Sequence, residues 1–196
     1  MYDFLRFVPD ANIDFGFENY VVFAESKIKV NKFYKARLIK AESVNELISK
    51  LKRVRNDEIV GVYSSNLKVN REAVMRKKVD VLLDGVDRKL DYKTIKLAAE
   101  KNVIIEICFS KYVKANNLMR LFEEDLELIR IINKFDTPFA LTSAASNCYE
   151  MRTKKQIYDF FSFLGANIKS AEKHAIKLIR EYYDPNFILD GLEILE

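Results

Sequence analysis

Short runs of β-branched and aromatic residues alternate along this chain with segments whose apolar residues recur at helical spacing. A strand, then a helix, then another strand is the pattern of a parallel sheet. The strand-like runs are Phe4–Val8, Tyr20–Ala24, Ala36–Ile39, Ile59–Tyr63, Val81–Leu83, Val103–Phe109 and Phe139–Leu141. With about seven such runs, the choice lies between a doubly wound sheet and an α/β barrel. The first two connections, residues 9–19 and 25–35, are too short for full crossover helices. A barrel would therefore be small and irregular in its first third. No linker, repeat or composition break divides the chain, so residues 1–196 are read as one domain.

The helical segments carry their own punctuation. Ser43-Val-Asn-Glu46 is a capping box that opens a helix striped by Val44, Leu47, Ile48 and Leu51. Residues 70–77 predict a short helix capped by Asn70. Asp91 caps a helix through Tyr92, Ile95, Ala98 and Ala99 that ends near Asn102. The longest helix is expected over about 114–133, with Leu118, Leu121, Phe122, Ile129 and Ile132 as its stripe. Thr153-Lys-Lys-Gln156 is a second capping box. Ile157, Phe160, Phe161 and Leu164 follow at i, i+3, i+4 and i+7, and Gly165 is a natural C′ residue. A last helix is expected from near Ser170 to Asp184-Pro185.

Counts of particular residues exclude whole classes of chemistry. His174 is the only histidine among 196 residues, so a zinc centre built on several histidines is impossible. It flanks the apolar face of Ala171, Ala175 and Leu178, where a structural or surface role is expected. Cys108 and Cys148 form no CxxC pair and read as reduced, partly buried thiols. There is no GxxxxGK[ST], GxGxxG or nucleophile elbow. Asp84, Asp87 and Asp91 follow one strand closely enough to hold Mg²⁺ in principle, although turn formation and helix capping explain Asp87 and Asp91 as well. No apolar run reaches the roughly 18 residues that span a membrane, and no signal-peptide pattern opens the chain. A soluble, cytoplasmic protein is expected.

The net charge of +4 resides in one quarter of the chain: residues 51–100 carry 12 basic and 8 acidic side chains. The basic residues cluster at Lys52-Arg53-Val54-Arg55, Arg76-Lys77-Lys78 and Arg88-Lys89, with a later cluster at Arg152-Thr-Lys-Lys155. Clusters of this kind are solvated helix ends and loops, or, where they converge, a footprint for a phosphate backbone.

Two stretches carry a family resemblance. One reads Val79-Asp-Val-Leu-Leu-Asp-Gly-Val-Asp-Arg-Lys-Leu-Asp-Tyr92 and continues from Ile95 to the Ile-Glu-Ile-Cys-Phe run ending at Phe109. The other reads Phe135-Asp-Thr-Pro-Phe-Ala-Leu-Thr-Ser-Ala-Ala-Ser-Asn-Cys-Tyr-Glu-Met-Arg152 and continues through Gly165 to Ala171-Glu-Lys-His-Ala175. In this order they resemble archaeal ribonuclease P protein component 3, the family of the 30-kDa subunit of the eukaryotic enzyme. The resemblance implies a TIM-barrel-like (β/α) barrel, similar to that of metal-dependent phosphoesterases. It implies a protein subunit of the ribonucleoprotein that removes the 5′ leader from precursor tRNA. Catalysis would belong to ribonuclease P RNA and its Mg²⁺ ions, with no cofactor on this chain. Protein component 2 and the other subunits would be its partners, and no membrane is involved.

The alternative, an independent metal-dependent phosphoesterase on the same barrel, would need several histidines in its strand-end loops. The expected RNA contacts are Arg88 and Lys89 after the fifth strand, and Arg152, Lys154 and Lys155 at the helix start after the seventh. Ser143 is expected to offer a hydroxyl to a phosphate or a 2′-OH. For Arg152, pairing with Asp87 or Glu150 is the competing expectation.

Overall fold

A computed structural model describes residues 2–10, 14–26, 32–189 and 192–193 of the chain. Seven parallel strands stand in sequence order: β1 (Tyr2–Leu5), β2 (Asn19–Ala24), β3 (Tyr34–Lys40), β4 (Ile59–Tyr63), β5 (Val81–Leu82), β6 (Ile104–Cys108) and β7 (Phe139–Thr142). Each pairs with the next in parallel register. The sheet curls until β7 meets β1. There the Arg6 N–H donates to the Ala145 carbonyl at 2.8 Å, and the Asp3 carboxylate accepts from the Ser143 N–H and hydroxyl, both at 2.6 Å. The result is a nearly closed barrel, as the resemblance implies.

The period-2 alternation of the strands sorts residues into two apolar layers. Phe4, Val21, Phe23, Ile59, Val81, Leu83, Ile104 and Ala140 fill the barrel interior. Val60, Val62, Leu82, Ile105, Ile107 and Leu141 pack outward against the helices. Gly61 belongs to the inner layer, and a Cβ there would lie 2.5 Å from the Phe23 ring and 2.7 Å from Leu83. Only a residue without a side chain fits beside these two at that level.

The helices are α1 (Val44–Leu51), α2 (Leu67–Val74), α3 (Tyr92–Lys101), α4 (Ser110–Lys114), α5 (Leu118–Phe135), α6 (Lys154–Phe163) and α7 (Ile168–Tyr183). The caps at Asp91 and Thr153 form as the sequence predicts, the latter as a full capping box, whereas at Ser43 only the hydroxyl half of the box forms, because the Glu46 carboxylate accepts from the Glu42 N–H instead. Gly165 takes its positive φ of 87° after α6. No helix separates β1, β2 and β3 among the described residues, in keeping with the short first connections.

Three boundaries differ from expectation. Asn66, not Asn70, caps α2, because Asn70 is drawn into the fold, donating to the carbonyls of Ser64 and Lys89. The helix expected over about 114–133 runs over Leu118–Phe135 instead, since Ala115 is extended and Asn117 caps its start after the short α4. Asn167 caps α7 three residues before Ser170, from whose N–H its side chain accepts at 3.2 Å.

α7 lies across the N-terminal ends of the strands. Its His174 Nδ1 accepts from the Phe139 N–H at the start of β7. The Tyr182 hydroxyl donates to Asp80, just before β5, and the Tyr183 hydroxyl donates to the Lys35 carbonyl in β3. Ala175, Leu178 and Ile179 join the inner apolar layer, so this helix floors the barrel. His174 is thus a half-buried structural residue. Burial lowers its pKa, and its acceptor role requires the neutral ring. A two-stranded antiparallel pair, Phe187–Leu189 with Leu192–Glu193, follows α7. No helix among the described residues is long and apolar enough to cross a membrane.

Candidate functional site

The C-terminal ends of the strands form the barrel mouth, where α/β barrels place their chemistry. Here the mouth contains a buried charge network. Glu106, fully buried in β6, pairs with Arg6 and accepts from the Thr142 hydroxyl at 2.7 Å and the Asp84 N–H at 2.7 Å. Asp84 pairs with Arg88 at 2.9 Å and with Lys111 at 2.7 Å, and accepts from the Cys108 N–H at 2.9 Å. Lys111 also pairs with Asp125 at 2.6 Å, and Asp125 accepts from the Tyr112 hydroxyl at 2.6 Å. Arg88 further donates to the Glu106 carbonyl at 2.6 Å.

Burial and pairing act in opposite directions on these groups. Burial disfavours ionised Asp84, yet Arg88 and Lys111 more than offset it and hold its pKa below the usual carboxylate value. Burial likewise disfavours charged Lys111, and Asp84 and Asp125 together keep its pKa raised. Burial pushes the Cys108 thiol upward, with Asp84 adding to the effect, so Cys108 is a protonated, inert core thiol. Asp3, with no cation beside it, is raised by burial to about 7 despite its bonds from Ser143.

The network pairs each of its carboxylates with a cation, and Arg6 Nη1 is its one buried donor left without a hydrogen bond among the described residues. Arg6, Arg88 and Lys111 occupy the positions beside Glu106, Asp84 and Asp125 where a metal would have to approach. Among the described residues no group of three His, Cys, Asp or Glu is placed to hold a metal ion. The donor set therefore does not fit a metal-dependent phosphoesterase. Asp91 is committed to capping α3 and pairing with Arg71, and Asp87 lies on the exposed part of the loop.

The expected RNA contacts fall into two groups. The structure places Arg88 and Ser143 in the interior. The Arg88 side chain is only 4% exposed and locked to Asp84, and Ser143 is fully buried on Asp3. Neither presents a donor to an outside ligand; both hold the mouth together. Lys89 is exposed, and its side chain makes no hydrogen bond or ion pair among the described residues.

Arg152, Lys154 and Lys155 come together at the start of α6. Arg152 Nη1 donates to the carbonyls of Tyr149 and Met151, and its guanidinium stands over the Phe109 ring at 5.6 Å. The expected pairing of Arg152 with Asp87 or Glu150 does not form; Glu150 pairs with Lys114 instead. Lys154 pairs with Glu172 and Lys155 with Asp159, the latter on a lysine side chain that is 83% exposed.

A broad groove of about 1320 Å³ opens beside the mouth, between the loop after β5 and α5. Its lining includes seven carboxylates against four cations, so it is less inviting to phosphate than the α6 side of the rim. Sequence reasoning missed Arg6, Glu106, Lys111 and Asp125. Glu106 interrupts an apolar strand, and Asp125 falls four residues after Leu121 and four before Ile129, in phase with the buried stripe. A charged residue in phase with an apolar face was the available signal.

Comparisons with known proteins agree with this architecture. The family profile described as "RNase P subunit p30" matches residues 24–182. Ribonuclease P protein component 3 of Archaeoglobus fulgidus is 47% identical over 196 aligned residues, covering 99% of this chain and 96% of that protein. The corresponding protein of Methanocaldococcus jannaschii is 32% identical, covering 92% and 82%. A chain in the cryo-EM structure of archaeal ribonuclease P with mature tRNA has a TM-score of 0.80 at 22% identity, covering 100% of this chain and 98% of that one. At that identity the likeness speaks to the fold.

Proposed function

The chain belongs to the ribonuclease P subunit p30 family and is a protein subunit of ribonuclease P, and from that premise we propose that it acts as a non-catalytic scaffold for the RNA. The observation that carries this reading is the charge-paired network at the barrel mouth. Every buried carboxylate there is neutralised by Arg6, Arg88 or Lys111 or bonded by Ser143, so no group is poised to activate water or hold a metal. What remains for a ligand is charge on the outer rim. Lys89 on one loop and Arg152, Lys154 and Lys155 at the start of α6 are the groups proposed to contact phosphates of ribonuclease P RNA. The Nε and Nη2 groups of Arg152 make no hydrogen bond among the described residues, which leaves donors for a phosphate.

In this reading the RNA and its Mg²⁺ remove the 5′ leader of precursor tRNA, and the chain carries no cofactor of its own. It works in the cytoplasm beside protein component 2 and the remaining subunits. The test is reconstitution with ribonuclease P RNA and component 2, followed by precursor-tRNA cleavage across Mg²⁺ concentrations. Cleavage by the complete particle at Mg²⁺ too low for the RNA alone is the expected result. Phosphoester hydrolysis by the isolated chain, lost with a stoichiometric bound metal, would overturn the proposal.

A further inference from the structure

Between β7 and α6 the chain makes a single 3₁₀ turn, Cys148–Glu150, whose backbone is held from all sides. Asn147 Oδ1 accepts from the N–H groups of Tyr149 at 3.0 Å and Glu150 at 3.2 Å. The Glu150 carboxylate accepts from the Ser146 N–H at 2.8 Å and the Asn147 amide at 3.0 Å, and pairs with Lys114 at 2.8 Å. Lys114 also donates to the Ser146 hydroxyl, and Arg152 donates to the Tyr149 carbonyl at 2.9 Å. The backbone of Tyr149 is thus fixed, while its side chain is 89% exposed.

The contrast with the rings nearby is sharp. Phe109, Tyr112, Phe122 and Phe160 pack edge-on or tilted against one another at 4.8–6.2 Å. Tyr149 joins none of them and has no ring contact or side-chain hydrogen bond among the described residues. The ring therefore packs against nothing in the fold, yet its backbone is held on a turn that Arg152 bonds at the Tyr149 carbonyl and Lys114 bonds at Ser146 and Glu150. An exposed aromatic face on a fixed backbone, with cations on the same turn, suits an unpaired base: the face stacks, and the cations meet the adjoining phosphates. Neither a duplex, whose bases are already stacked, nor a bare phosphate uses such a face.

We propose that Tyr149 is a stacking platform for an unpaired nucleobase of the RNA, with Lys114 and Arg152 beside it for the neighbouring phosphates. This rests on the reading of the chain as an RNA-contacting subunit, and it adds a contact that electrostatics alone does not supply.

The experiment measures the affinity of the chain, together with component 2, for full-length ribonuclease P RNA over a range of salt. The variants are Tyr149→Phe, Tyr149→Leu, Tyr149→Ala and, separately, a Lys89→Ala, Lys155→Ala pair. Tyr149→Phe should bind as the parent does. Tyr149→Leu and Tyr149→Ala should weaken binding about tenfold at every salt concentration, since stacking on one base is of that order. The slope of log K against log[salt] should not change, because no charge is removed. Equal affinity for all three Tyr149 variants would overturn the stack, as would full recovery by Leu. So would a loss confined to association with component 2, which would make the ring a protein contact. If the lysine pair flattens the salt slope while Tyr149→Ala changes nothing, the stack alone fails. If neither changes binding, the RNA-contacting reading fails with it.

Discussion

Asp3 and Ser143 lie 140 residues apart in sequence and meet at the seam of the barrel, the carboxylate accepting from both the N–H and the hydroxyl of the serine at 2.6 Å. Ser143 Oγ in turn accepts from the Ala145 N–H, and the Arg6 N–H reaches the Ala145 carbonyl. This short ladder stands where β1 and β7 would otherwise leave two strand edges unsatisfied.

The seam carries a pH dependence. Burial raises Asp3 from 3.8 to about 7. A carboxyl that is a weaker acid folded than unfolded favours the folded chain while protonated. Its contribution is full below about pH 4 and lost as pH rises through about 7. Asp3→Asn, which mimics the protonated group, should match the parent near pH 4. Above pH 7 it should be more stable by roughly 2–4 kcal/mol, measured by urea unfolding. A constant difference between the two proteins across that range would contradict this account.

Lys111 is the hinge of the charge network, shared by Asp84 and Asp125 and itself only 4% exposed. Removing it strands the buried Asp125 and leaves Asp84 with Arg88 alone. Lys111→Met should cost about 3–5 kcal/mol, read from the denaturation midpoint. The double variant Lys111→Met, Asp125→Leu should recover part of that loss, because the stranded charge leaves as well.

Gly61 tests the inner layer. Its missing Cβ would sit 2.5 Å from a Phe23 ring carbon, and an aromatic ring clamped between strands has little room to yield. Gly61→Ala should destabilise by about 1–3 kcal/mol through overpacking. Thermal unfolding checks this, and a melting temperature equal to that of the parent would mean that the interior is looser than described.

The rim and the network should respond to substitution in different ways. Lys155→Ala and Lys89→Ala should leave stability within about 0.5 kcal/mol, as exposed changes usually do. Each should flatten the salt dependence of RNA binding by roughly one unit of slope. Arg88→Ala should do the reverse. It uncovers Asp84 and lowers stability, while the slope for correctly folded protein stays unchanged.

What the sequence made legible follows from which forces are local. The N-cap bonds of Ser43, Asp91 and Thr153 join residues three apart, and each forms, although Glu46 does not close the expected box on Ser43. The strand runs were identifiable because β-branched residues pack on a pleated surface, and their ends shifted by up to three residues, the most at β1, which ends at Leu5 where Val8 was expected. Asn70 misled because a buried amide satisfying the carbonyls of Ser64 and Lys89 is a tertiary fact that no window of sequence contains. The rim lysines were legible as charge. Arg88 and Ser143 were not legible as interior, because their partners Asp84 and Asp3 become neighbours only when the sheet curls closed. The residue resemblance supplied the identity of the particle, which no spacing of catalytic types could have given.

The floor formed by α7 has a consequence for how the chain is made. The seven strands span residues 2–142, but the helix that covers their starting ends begins at Ile168. A nascent chain emerges from its N-terminus, so β1 through β7 leave the ribosome before anything can seal them from below. Until Ala175, Leu178 and Ile179 arrive, the inner apolar layer stands open to water at that end. The closing contacts, Tyr182 to Asp80 and Tyr183 to Lys35, reach back 102 and 148 residues. Maturation of this protein is thus a late, long-range event: a chain released before its last helix would be a sticky half-shell, vulnerable to aggregation and proteolysis however well its sheet had formed.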